Sequence, residues 1–441
     1  MEKPLKDLDT LQLKEFSQIA SDAGQNIRKI VSGETKETYF RIATMPEMKR
    51  ILSQATEQER KKRSETFLKG LEYRDRIPQG MHDRGEAYIF SDHPLASERD
   101  YRGHRNHLPA YTRTTSILNK IVEENEVWDV TLRPQDWGVD EREEMYNILN
   151  IGTLILKKNA SIIVRGNAFV FTCQRLIKEA ATTKPYDIGI LGTPHGFGRR
   201  YGSHHGKNGQ NGQNGDCGHD GVEPRMSASI LGSLLEKHPK AESTNGTNGA
   251  EGQKGKDGED GLTGGACRIT EINIRELISD TNLKVGVVPG NGGNGGNGGN
   301  GGDGGNGGNG SNAIKALNGQ IPLGNAGNGG NGGNGGNGGR AGHGGISSNV
   351  FITVPESDIH KVHFFAKDAK PGLPGKAGKG GRAGKNGSSG KSLEGKTNPP
   401  SPPPYVGKEG RDGRQGRSMP IAKIYINNIW KNLPFTPCKP N

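Results

Sequence analysis

Residues 289–312 read PGNGGNGGNGGNGGDGGNGGNGSN. The stretch has almost no side chains with which to build a core, so its reading decides the fold. A left-handed helix of the polyproline-II type turns once every three residues, rises about 3.1 Å per residue and makes no internal hydrogen bonds. Glycine at every third position leaves one edge of such a helix bare. A second backbone can lie along that edge, and the unbonded N–H and C=O groups find partners there.

The same phase recurs in six blocks: 206–221, 246–264, 290–308, 324–345, 372–390 and 407–416. Blocks three and four are Gly-Asn-Gly repeats, bare on two of three edges, which suits interior rods. The others keep one bare edge, which suits the periphery. Between the blocks lie segments of strand character: ACRITEINI, NVFITV, KVHFFA and PIAKIYINNIW. Ile190-Leu191-Gly192-Thr193 before block one and Ile230-Leu231-Gly232-Ser233 before block two suggest a longer repeat of strand, turn, glycine block and return.

Three states compete for these blocks. Gly-rich tracts serve as flexible linkers, and ordering each residue costs about 1–2 kcal/mol. An intermolecular collagen-like trimer needs Gly every third residue but also Pro, which the blocks nearly lack. A polyglycine-II bundle folded within one chain needs phase without slips and blocks of similar length. The sequence supplies both, and the bundle is the reading adopted.

The rest of the chain must anchor it. Hydrophobic residues make up 30% of the 441, and Gly 71 of them, so a conventional core is confined to particular segments. Over residues 1–75, Leu13, Phe16, Ile19, Ala20, Ala23, Ile27 and Ile30 recur at helical spacing. Thr44-Met45-Pro46-Glu47 announces a second helix running to about Leu71. These helices are expected to attach or oligomerise the chain, on a larger particle or with its own copies. Residues 76–124 are a polar connector. Over 125–192, Leu154, Leu156, Ala160, Ile162 and Val164 keep one parity, the period of half-buried strands, so a β platform, sheet or solenoid-like, is expected. Residues 193–441 form the glycine-repeat region with its interleaved strands. The fold class expected is therefore mixed: helical N-terminus, central β platform and polyglycine-II bundle.

Few motifs carry chemistry. His204, His205, Cys217 and His219 lie close in sequence, but at positions pointing different ways, and His104 with His107 lacks a third ligand. No metal and no cofactor is expected. No G-x-S-x-G, H-E-x-x-H or Walker-type lysine motif is read in the chain, and the G-x-G-x-x-G matches of blocks three and four follow from the repeat, so no phosphate-binding loop and no enzyme are expected. Asn159-Ala-Ser161 and Asn386-Gly-Ser388 match the N-glycan acceptor pattern and are discounted for want of an apolar leader. The charged N-terminal residues imply cytoplasmic synthesis, with an extracellular or particle-bound site reached by non-signal export. No run is apolar enough for a transmembrane helix.

The net charge of +11 favours anionic partners. Lys376, Lys379, Arg382 and Lys385 recur every third residue, as do Lys408, Arg411, Arg414 and Arg417. Each set lines one side of a rod at about 9 Å spacing, a ladder able to follow an anionic polymer. Solubilising the outer layer is the plainer role for such charges. Asn291, Asn294, Asn297 and Asn300 make an uncharged ladder suited to sugar or another subunit.

Over roughly residues 206–416 the pattern resembles the glycine-rich adhesins at phage long-tail-fibre tips, whose binding domains are polyglycine-II bundles. It also looks like single-chain antifreeze proteins built from six such helices. The adhesins' aromatic-rich tip loops have no counterpart here. The resemblance implies a non-enzymatic structural or receptor-binding protein whose partner is a cell-surface glycan or protein. The contrasting reading is a polyanion or nucleic-acid binder using the basic blocks. Ice binding is disfavoured by the charged surface.

Overall fold

Continuous burial rather than alternation marks the central strands. β4 (Met145–Leu156) and β6 (Ala168–Lys178) are buried at nearly every position. Strands covered on both faces belong to parallel sheets. The computed structural model describes residues 8–67, 84–92, 94, 108–138, 145–193, 204–237 and 240–430. The protein is mixed α/β, mostly sheet, with few helices and no barrel.

Sheet A runs β1 (Lys36–Ile42), β2 (Ala110–Val122), β4, β6, β10 (Thr270–Ile274), β15 (Val350–Thr353), β17 (Ile424–Ile426) and β18 (Ile429–Trp430), with β11 (Leu277–Ser279) also on β6. The strands from β2 to β17 are parallel, and β1 and β18 close the edges antiparallel. Sheet B is wholly parallel: β16 (Val362–Ala366), β12 (Leu283–Val288), β7 (Ile188–Leu191), β5 (Ser161–Arg165) and β3 (Val127–Asp129). The chain alternates between the sheets, leaving one strand in each per coil. Leu154, Leu156, Ile162, Val164, Phe169, Phe171, Ile272 and Val285 fill the space between them. At the turns from A to B, Asn125 and Asn159 both take positive φ, and Asn159 Nδ2 donates to Asn125 Oδ1 at 3.2 Å.

The outer face of sheet A is covered by helices. α1 (Thr10–Asp22) and α2 (Ile27–Val31) are separate, because Gly24 turns the chain at φ +68° and Asn26 caps α2. Thr44 caps α3 (Met45–Leu52) as its spacing predicts, but that helix stops, and α4 (Glu57–Phe67) starts afresh. α5 (Arg84–Ser91) joins them, while the short α6 (Pro134–Trp137) sets Trp137 against Tyr39 and Tyr111 of β1 and β2. Met48, Leu52, Ile89 and Phe90 pack on Ile148, Val170, Phe351 and Tyr425 of sheet A. Two elements depart from the sequence reading. β1 lies within the expected helical region, and all of β2 lies within the expected connector. The positions that β2 buries beneath the helices are Thr112, Thr114 and Ser116, whose hydroxyls hide the period from hydropathy. Arg63 of α4 is fully buried against Glu271 and Asn428, with its guanidinium 4.4 Å from the Phe351 ring centre.

On one side of the coils the returns from sheet B to sheet A are long excursions. After β7 the chain runs out along 204–221 (rod 1), turns through the hairpin β8 (Met226–Ser229) and β9 (Gly232–Leu235), and returns along 244–264 (rod 2) to β10. After β12 it runs along 290–312 (rod 3), turns through β13 (Ile314–Ala316) and β14 (Gly319–Ile321), and returns along 324–345 (rod 4) to β15. After β16 it runs along 370–391 (rod 5) and returns along 405–417 (rod 6) to β17. The strands of sheets A and B thereby fix where each pair begins and ends. The proposed likeness between Ile190-Leu191 and Ile230-Leu231 does not hold in space. The first pair is buried in β7, while the second is the fully solvated tip of the β8–β9 hairpin, at 106% and 86% relative exposure.

Candidate functional site

Consecutive rods are antiparallel, and alternate rods are parallel. Gly293 donates its N–H to Leu262 of rod 2 and Gly327 to Gly308 of rod 3, with register falling as sequence rises. Gly206 donates to Asn294, Gly246 to Asn325, Gly292 to Lys370 and Gly332 to Tyr405, with register rising. Two layers result: rods 1, 3 and 5 form one, and rods 2, 4 and 6 the other.

Neighbour number explains glycine content. Rods 3 and 4 bond to four neighbours each, rods 2 and 5 to three, rods 1 and 6 to two. In rod 3 a methyl on Gly301 would stand 1.9 Å from the Gly333 carbonyl oxygen of rod 4, and one on Gly302 1.9 Å from the Gln213 oxygen of rod 1. Both columns must therefore be bare. In rod 1 the column equivalent to Gly302 faces no earlier rod and carries Lys207, Gln210, Gln213, Asp216 and His219, all exposed.

The third column of each rod holds the sequence-identified ladders. The carboxamide oxygens of Asn291, Asn294, Asn297 and Asn300 accept the main-chain N–H groups of Lys370, Leu373, Lys376 and Lys379 at 2.8–3.0 Å. Asn208 and Asn211 of rod 1 do the same for Asn297 and Asn300. In the other layer, Asn334 and Asn337 accept from Lys408 and Arg411. Asp257 accepts from Asn337 N–H, a bond that holds its carboxyl below the usual range. His205 and His343 substitute for Asn, accepting through Nδ1 from Asn294 and Arg417. The Asn ladder is thus a set of ties between rods, a role that depends on register across 79–89 residues and has no local signal.

Rods 5 and 6 end their layers, and their third columns change character. The column becomes Lys370, Leu373, Lys376, Lys379, Arg382, Lys385, Ser388 and Lys391 in rod 5, and Tyr405, Lys408, Arg411, Arg414 and Arg417 in rod 6. Lysine and arginine cannot accept a further N–H. Their side chains are exposed; Arg382 pairs loosely with Asp303, N to O 3.7 Å.

Other sequence signals resolve differently. Asn386 Oδ1 accepts Gly329 N–H where rod 6 has run out, and its Nδ2 donates to Ser401 and Pro402. Asn159 Oδ1 accepts from Thr183. The His204 and His205 rings lie 3.9 Å apart, and burial, then His205, pushes the His204 pKa down. No group of three His, Cys, Asp or Glu side chains converges among the described residues, and His104 and His107 lie outside them. Residues 390–397, GKSLEGKT, do match the G-x-x-x-x-G-K-T spacing, against the expectation of no phosphate-binding loop. They fold as a tight turn: Lys391 bridges to Thr397, Ser392 N–H donates to Lys396, and Gly395 takes φ +78°. No helix follows the turn, so the helix N-terminus that cradles phosphate in such loops is missing.

Where rods 1, 3 and 5 meet sheet B there is a groove of about 640 Å³ that sequence reasoning missed. On the outer face of sheet B, Gly189 and Gly286 pair side by side. The Tyr186 ring lies over both and the Phe365 ring over Gly286, so closely that a methyl at either glycine would enter the rings. Arg165 and Lys367 line its opposite flanks, with His204 and Asn291 at the rod side.

Compared with protein-family models, with curated proteins and with solved structures, the chain finds no match in any of the three.

Proposed function

We propose that this is a non-enzymatic binding protein in which a polyglycine-II bundle, carried by stacked β coils, presents cationic ladders to an anionic polymer of the adhesin-receptor kind, an acidic surface glycan. Main-chain bonds that run from rod to rod, through one N–H in three in rods 1, 5 and 6 and two in three in most of rods 2 to 4, support the polyglycine-II reading. The observation that carries the binding reading is the change of column. Asn, Asp and His side chains are consumed as acceptors in rods 1 to 4, while Lys376, Lys379, Lys385, Lys408, Arg411 and Arg414 are exposed on the last two rods with no ion pair among the described residues. Their repeat of about 9 Å suits a flexible polyanion. A carbohydrate polymer is favoured over nucleic acid because no aromatic residues interleave with the cations of rod 5 to stack bases.

The test is a titration of a long carboxylated polysaccharide against salt. Affinity should fall steeply with ionic strength, and the slope should flatten in a Lys376→Gln/Lys379→Gln/Lys385→Gln variant whose thermal unfolding is unchanged. Salt-independent binding, or an unchanged slope in the variant, would overturn the ladder reading.

A further inference from the structure

We infer that the groove at the base of the rods is a binding site for a carboxylated sugar, the terminal unit of an acidic glycan. The inference deepens the ladder reading and rests on it, because Asn291 at the groove bonds the main chain of Lys370, at the foot of the rod 5 column.

The floor is built for a ring. Gly189 and Gly286, adjacent across β7 and β12, leave no side chains between the sheet and the Tyr186 and Phe365 rings. Both rings are half-buried, so each keeps a surface open to solvent. Exposed aromatic surface in a concave site is the usual apolar platform for a small ligand. One step along the strands the outward row reads Arg165, Leu191, Val288 and Lys367, from β5 across to the end of β16. At about 4.8 Å per strand the two cations bracket the apolar middle at about 14 Å.

The polar chemistry is one-sided. No carboxylate lines the groove among the described residues. Arg165 and Lys367 have no ion-pair partner among the described residues, and both are donors only. Asn291 points the same way: its oxygen is occupied by Lys370 N–H, leaving its NH₂ as donor. His204 is held towards its neutral form by burial. A guanidinium, an ammonium and an amide NH₂ around an aromatic floor match a pyranose carrying a carboxylate, with arginine able to grip both carboxylate oxygens. A neutral sugar would leave both cations unmatched, and a bare inorganic anion would leave the platform unused.

The groove adjoins the foot of the ladder, where Asn291 accepts the Lys370 N–H. Lys367 is followed at the required spacing by Lys370, Lys376, Lys379, Arg382 and Lys385, all exposed on rod 5. A chain of acidic sugars whose end sits between Arg165 and Lys367 would continue along that column.

The experiment uses the full chain and three probes: a hexuronic acid disaccharide, a hexuronic acid dodecasaccharide and a neutral hexose disaccharide, titrated by calorimetry. The acidic disaccharide should bind, the neutral one should not. Arg165→Gln/Lys367→Gln should weaken the acidic disaccharide at least about tenfold, and Tyr186→Ala should do the same by removing the platform. Both must match the parent in thermal unfolding; the double variant, being at the surface, keeps the test valid where Tyr186→Ala does not fold. The Lys376→Gln/Lys379→Gln/Lys385→Gln variant should leave the disaccharide within about twofold and weaken only the dodecasaccharide. The groove inference is overturned if the acidic disaccharide does not bind, if the neutral one binds equally well, or if the double variant binds it unchanged. Dodecasaccharide binding with no disaccharide binding leaves the ladder standing without the groove. Disaccharide binding with no response of the dodecasaccharide to the ladder variant supports the groove alone.

Discussion

Between the two sheets, Phe169, Phe171, Ile272 and Val285 hold the coils together by filling space with side chains. A few residues further along the same chain, Gly301 and Gly302 hold rods together by leaving space empty, so that carbonyl oxygens come where a Cβ would be. One region is ordered by burial of apolar area, the other by main-chain hydrogen bonds worth about 1 kcal/mol each net. Hydrogen bonds of that strength do not by themselves offset the ordering of so much glycine. Strands at both ends of every excursion explain how the two are reconciled: the coils fix where each pair of rods begins and ends.

That difference predicts opposite responses to volume. Phe171→Ala should cost about 3–5 kcal/mol by opening a cavity, whereas Gly302→Ala should cost about 3 kcal/mol or more by adding one methyl. Urea unfolding of both variants checks this. A Gly302→Ala protein as stable as the parent would mean that rods 1 and 3 do not touch as described.

Burial also makes the sheet region sensitive to alkali where the rods are not. Burial pushes the Cys267 thiol up to about 12, the Tyr425 phenol up to about 12 and the Cys173 thiol upward. Unfolded, the thiols ionise near 8.5 and the phenol near 10. Above those values the unfolded chain has released protons that the folded one retains, so stability should be intact at neutral pH and fall as pH climbs towards 12. Urea midpoints between pH 7 and 11, with the Cys173→Ala/Cys267→Ala variant losing less across that range, test it. Cys217 on exposed rod 1 should react with a thiol reagent in the native protein, Cys173 and Cys267 only on unfolding.

Much of the sheet region was legible in the sequence because its signal is local. Leu154, Leu156, Ile162 and Val164 show their parity within a dozen residues and lie in the core. β2 was not legible, because the residues it buries beneath the helices are Thr112, Thr114 and Ser116, and hydropathy treats those as surface. Nor was the groove, whose aromatic floor lies over the paired Gly189 and Gly286 and whose flanks are Arg165 of β5 and Lys367 just beyond β16. Such an arrangement exists only once strands about a hundred residues apart are paired. The GKSLEGKT stretch teaches the converse, since a local pattern means little when the helix it needs is replaced by rod 6 and its proline-rich approach.

Within the rods, effects should shrink column by column. Asn300→Ala removes the acceptor for Lys379 N–H and should cost about 1 kcal/mol. His343→Asn keeps an acceptor for Arg417 N–H and should cost nothing measurable, whereas His343→Lys should cost about as much as Asn300→Ala. Gln213→Ala, on the outward column of rod 1, should change stability by no more than about 0.5 kcal/mol. The last comparison is the sharpest, because Gln213 and Gly302 meet: the Gln213 carbonyl is the wall that a methyl on Gly302 would strike, while its side chain points away from every described rod. A large loss on truncating Gln213, matched by a small loss on Gly302→Ala, would show that rod 1 is held by its side chains, and the contrast with the sheet core would disappear.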